Sequence, residues 1–185
     1  GDSMHNNTVG ANVAIGYAAF INNVDGTGSV AVGDNAGRKA LGDRNIFIGQ
    51  EAGYGSTTAD GDRNVVIGYR ALYNSATTAR YNVGVGQSVL FATTTGEFNV
   101  AIGSSALSSN TTGSNNTAVG RDTQSGNFSA SVILGMGATA DGNNQFVVGS
   151  SSYNAGAVTT ETITPDKTWT VKINGVDYKI PIVAA

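Results

Sequence analysis

The sequence contains no cysteine, one histidine (His5) and two prolines, and its apolar runs stop at four or five residues. Without Cys there is no disulfide framework and no thiol chemistry. A lone His5 excludes a Ser-His-Asp triad and, with Cys also missing, a His/Cys metal site. The apolar runs are too short to cross a bilayer as a helix, so the chain is not expected to insert in a membrane. No charged segment followed by an apolar one opens the sequence, so no signal peptide is read there. Charged residues make up only 12%, and the net charge is −3. With no basic stripe, a nucleic-acid partner is not expected. No cofactor is implied either.

In place of these features there is glycine, 26 residues of 185, about twice ordinary usage. It falls in a repeat of the form Asn-apolar-x-apolar-Gly. The copies are Asn12–Gly16, Asn45–Gly49, Asn64–Gly68, Asn82–Gly86, Asn99–Gly103 and Asn116–Gly120. Three more replace the Asn: Ser29–Gly33, Ser131–Gly135 and Gln145–Gly149. The closing glycines lie 14 to 19 residues apart, and nine near-periodic copies imply a repeat architecture. After each Gly comes a short small-apolar segment such as Arg70-Ala71-Leu72 or Ser105-Ala106-Leu107, then a polar turn such as Thr111-Thr112-Gly113. Gly supplies the positive φ those turns need, and Asn is expected to satisfy backbone groups locally. Recurrent Gly and β-branched residues disfavour helix. The expectation is an all-β parallel solenoid of about nine short coils, roughly 40 Å long at ~4.8 Å per coil.

Within the motif, the residues flanking the centre should face one side and the central ones the other. Both sets are apolar, so both faces call for cover. One fills the coil; the other would be an exposed stripe along the rod unless copies of the chain bury it. A threefold assembly or a dimer would do so. The interface expected from this reading runs through the central residues Ala14, Ala31, Phe47, Val66, Ala101, Ala118, Ile133 and Val147.

These copies, with their Ala-Leu and Thr-Thr-Gly segments, resemble the head repeats of trimeric autotransporter adhesins of the YadA type. Similar arrays occur in bacteriophage tail fibres and in surface fibres of predatory bacteria. The resemblance covers about residues 7–150. It implies a left-handed parallel β-roll, a homotrimer, and adhesion to a receptor on a bacterial cell, either glycan or outer-membrane component. Residues 1–6 read as a leader or tag remnant, and the chain as the end of a longer protein. Residues 151–166 form a Thr-rich linker. Residues 167–185 read as a β-hairpin around Asn174-Gly175, a strong two-residue turn signal. The segment Trp169 to Ile182 resembles the carboxyl ends of tail fibres from aquatic phages, which favours a virion tail fibre over a bacterial surface adhesin.

No catalytic residues are expected. The acids are scattered one per turn, whereas glycan hydrolysis needs two carboxylates facing a cleft. Asp60-Gly61-Asp62 offers too few oxygens for a Ca²⁺ cage. The candidate ligand-binding residues are Tyr54, Asp60, Asp62, Arg63, Tyr69, Arg70, Tyr73, Arg80 and Tyr81, in and after the longest coil. Aromatic rings offer large rigid contact area and Arg adds directional donors. The competing reading is that Tyr73 and Phe91 cover the coil flank, as Phe20 could.

Overall fold

The computed structural model describes residues 10–23, 25–55, 61–74, 78–152, 167–173 and 176–182. Among them there is no helix. Each repeat contributes one three-residue strand. In chain order these are β1 (Val13–Ile15), β2 (Val30–Val32), β3 (Ile46–Ile48), β4 (Val65–Ile67), β5 (Val83–Val85), β6 (Val100–Ile102), β7 (Thr117–Val119), β8 (Val132–Leu134) and β9 (Phe146–Val148). They form one nine-stranded parallel sheet in sequence order, every strand pairing with its successor in register. The molecule is therefore an all-β solenoid.

The chain divides into two units, Gly1–Ala155 and Gly156–Ala185. In the second, β10 (Lys167–Ile173) runs antiparallel to β11 (Val176–Ile182), with Trp169 opposite Ile180 and Val171 opposite Tyr178. The expected turn Asn174-Gly175 and the linker residues 153–166 lie outside the described residues.

The assignment of the two strand faces needs correction. The central residues expected at an interface fill the coil interior instead: Ala31, Val66, Ala101, Ala118 and Ile133 have no exposed surface, and Phe47 has 3%. Ala14 and Val147, in the end strands, pack on the same core. A side chain with no surface in one chain cannot meet another. The flanking residues point outward, from Val13, Ile15 and Ile48 to Val119, Val132 and Val148.

Opposite the central row, Phe20, Leu72, Leu90 and Leu107 are fully buried. Phe20 thus belongs to the core and not to the flank. Each such residue contributes about 2 kcal/mol by leaving water. Core volume is shared between the two rows. Where β3 carries the large Phe47, the facing corners are Gly37 and Gly53, and a Cβ at either would strike a Phe ring. Where the strand centre shrinks to Ala101 or Gly84, Leu107 and Leu90 occupy the space.

The Asn at the start of each motif bonds between coils, not locally. Asn64, Asn82, Asn99 and Asn116 each donate their backbone N–H to the preceding Asn Oδ1, at 2.8–3.1 Å. Each also donates Nδ2–H to a carbonyl of the following coil, as Asn99 does to Gly113 at 2.9 Å. Ser29 and Ser131 continue the same ladder with their Oγ atoms. All these Asn side chains are buried, so the ladder satisfies groups that water cannot reach.

The left-handed backbone belongs to the residue before the Asn. Arg44, Arg63, Tyr81, Phe98 and Asn115 all have φ between 56° and 61°. That conformation costs a side-chain-bearing residue about 1 kcal/mol, which the adjoining ladder bonds offset. The closing glycines allow successive coils to touch. Gly103 has φ 132°, and a Cβ there would lie 2.7 Å from the Gly120 carbonyl.

Candidate functional site

Because the coils stack in register, residues one coil apart become neighbours, and side chains distant in sequence form rows. Two such rows carry most of the expected binding residues. They make two clusters, not one site.

The first row follows the buried corner of each coil. Tyr54, Tyr73 and Phe91 stack face to face, with centroids 5.0 and 5.3 Å apart and planes within 17° and 3° of parallel. The separation reflects the ~4.8 Å inter-strand spacing, so the backbone itself sets the stacking distance. Cations lie over the rings. Arg38 and Lys39 approach Tyr54 at 5.7 and 5.4 Å, and Arg38 also donates to the Tyr54 hydroxyl at 3.0 Å. Arg70 lies 5.3 Å from the Tyr73 centroid and 5.1 Å from that of Tyr69. Its Nε donates to Glu51 at 2.6 Å. That hydrogen bond holds the Arg70 pKa above its ordinary value, so the guanidinium stays charged. Tyr54, Tyr69, Arg70 and Tyr73 are thus brought together.

The second row is the left-handed position before the Asn. Tyr81 stacks on Phe98 with centroids 4.7 Å apart and planes 7° from parallel. Their backbones share nearly the same φ, 57° and 56°, so the rings project alike. Arg63 lies 5.3 Å from the Tyr81 centroid and donates to its hydroxyl at 3.0 Å. Arg80 pairs with Glu97 at 3.0 Å across one coil.

Asp62 has a structural role. It accepts the backbone N–H of Asp43 at 2.8 Å, and Asp43 in turn accepts the backbone N–H and hydroxyl of Thr27. These Thr27 bonds, the backbone one foremost, hold the Asp43 carboxyl below its ordinary pKa of 3.8. Asp60 lies outside the described residues. Among the described residues no group of three His, Cys, Asp or Glu could hold a metal ion.

The candidate residues read from the sequence leave out Phe91, for which flank cover was the competing reading, and Phe98; Arg38 and Lys39 read there only as part of a basic cluster with Arg44, Arg63, Arg70 and Arg80, not as partners of the rings. The coil period could have found them. Phe91 follows Tyr73 by 18 residues, and Phe98 follows Tyr81 by 17. Beside the first row, Tyr69, Arg70, Gln87, Ser88, Phe91 and Ser108 line a shallow open groove of about 650 Å³. Comparisons with protein-family models, curated proteins and solved structures found no match to this chain.

Proposed function

We propose that this chain is the non-catalytic, receptor-binding tip of a homotrimeric fibre, most consistent with a bacteriophage tail fibre attaching to a bacterial cell. The observation that carries the proposal is the outer face of the nine-stranded sheet. Two rows of β-branched side chains run along it, including Ile15, Ile48, Ile67, Val85, Ile102, Val119 and Val148 in one and Val13, Val83 and Val132 in the other. Parallel sheets are normally covered on both faces, and a stripe this long left in water favours aggregation. Two further copies packed around a common axis would cover it, as in the left-handed rolls that the repeat resembles. The trimer contact then passes from the central residues to these outward ones.

The flanks remain for recognition. They carry the ring stacks with their cations and a surface of hydroxyls and amides, which suits a neutral or mixed cell-envelope ligand. The described carboxylates support a binding role over hydrolysis. Asp43, Asp62, Glu51 and Glu97 serve ladders and ion pairs along the coil instead of facing one another across a cleft. The paired strands β10 and β11, read as a hairpin, and their resemblance to phage fibre ends favour the virion over a bacterial surface fibre.

Binding of the fluorescently labelled assembly to intact bacterial cells tests the reading. Saturable retention on some strains, without release of reducing sugar, is expected. Failure to bind any cells at micromolar concentration would reduce the chain to a stiff trimeric spacer. Release of sugar would overturn the non-catalytic claim.

A further inference from the structure

The Tyr54–Tyr73–Phe91 stack ends abruptly. The next residue in its row is Ser108, fixed there by the inter-coil bond from the Ala92 N–H to the Ser108 carbonyl, equivalent to that from Asn74 to Phe91. One face of Phe91 is covered by Tyr73; among the described residues no ring covers the other. The groove opens at this step, with Tyr69 as a second aromatic wall and Gln87, Ser88 and Ser108 as polar lining. Ser108 Oγ accepts from Gln124 Nε2 at 3.0 Å, so its O–H is the group with a proton to offer.

The geometry points to this groove as a saccharide subsite in which a neutral pyranose ring takes the place of the missing ring of the stack. Resting on the fibre-tip reading, it names the chemical class of the receptor. The apolar C–H face of a pyranose packs on Phe91 at the spacing the coil imposes on its own rings. Its equatorial hydroxyls meet the amide of Gln87 and the hydroxyls of Ser88 and Ser108. Aromatic walls with a few convergent polar groups are what orient a small ligand. The sugar is neutral because Arg70, the one charged lining residue among the described residues, is already paired with Glu51. A phosphate or uronate would have to compete with that carboxylate.

The test applies the full chain to an array of neutral hexose and N-acetylhexosamine oligosaccharides that also holds uronic-acid and phosphorylated members. The wild type should retain neutral members. Ser108→Tyr, which continues the stack and fills the groove, should weaken retention by roughly tenfold or more, with mass and thermal unfolding unchanged. Gln87→Ala should weaken it less, without altering the fold. Retention of acidic members alone, no retention at all, or equal retention by Ser108→Tyr would each overturn the subsite. If the wild type and Ser108→Tyr bind cells equally, the subsite fails and the fibre reading stands. If sugars are retained but no cells bind, the fibre reading fails and the subsite stands.

Discussion

Each three-residue strand shows two faces made from the same kinds of side chain, and the two behave as different materials. Inward, the centres vary from Gly84 through Ala101 and Val66 to Phe47; Leu90 fills the space beside Gly84, and the glycine pair Gly37 and Gly53 makes room for Phe47. Outward, the flanking positions are nearly uniform, Val or Ile with few exceptions, and several of them stay exposed within the described coil. A closed interior of fixed volume needs compensation residue by residue. A surface that repeats against copies of itself needs uniformity. The inner face therefore governs the stability of one chain, and in the proposed trimer the outer face would govern assembly.

Breaking the ladder that seals the interior should have the largest effect. Asn99→Ala leaves the buried Asn116 N–H without its acceptor and removes three further side-chain bonds, to Asn82, to Asn116 and to the Gly113 carbonyl, the last of which keeps its bond from Asn110. At 1–3 kcal/mol for the orphaned N–H and about 1 kcal/mol for each of the other lost bonds, a loss of about 4 kcal/mol is expected in chemical denaturation. A loss under about 1 kcal/mol would mean that the ladder is incidental.

The volume exchange predicts a specific rescue. Gly53→Ala forces a Cβ into the Phe47 ring and a left-handed φ of 59° on alanine, and should cost about 3 kcal/mol. Phe47→Leu, destabilising alone, should restore part of that loss in the double variant. Strict additivity would show that the two positions do not share space.

Outward substitutions should act the other way. Ile67→Lys with Val85→Lys should change the stability of the single chain by only about 0.5 kcal/mol per site while preventing self-association. Loss of the fold in this variant would mean that the outer rows already serve the coil interior.

The smallest effect is electrostatic. The Asp43 carboxyl is depressed by its bonds to Thr27, so its contribution is present above its ordinary value of 3.8 and is lost as pH falls through the lower folded value. Asp43→Asn, whose amide oxygen can still accept, should leave thermal stability near pH 7 almost unchanged and blunt its fall below about pH 4. An unchanged acid limb would assign the acid sensitivity to other groups.

The nine strands were legible because a Gly closes every motif at a positive φ that few residues tolerate, and an Asn opens six of the nine. The Asn was misread only in its range: its bonds reach 12 to 19 residues, to the next coil. The facing of the strands was harder, because alternation yields two sets and composition does not say which is inside. Gly84 held the clue. A strand centre can shrink to glycine only where a neighbour such as Leu90 fills the space, and that neighbour has to be inside. The binding cluster was partly legible from its residue types. Its division into two stacks was not, since Tyr73 meets Phe91 and Tyr81 meets Phe98 only when one coil is laid over the next.

The mass in solution at micromolar concentration, measured by light scattering on the wild type and on the Ile67→Lys, Val85→Lys variant, tests the central claim most directly. The account predicts about three times 18.7 kDa for the wild type and 18.7 kDa for the variant, with the same β-rich circular dichroism. A wild type that stays at 18.7 kDa, or a variant that assembles as well as the wild type, would contradict it.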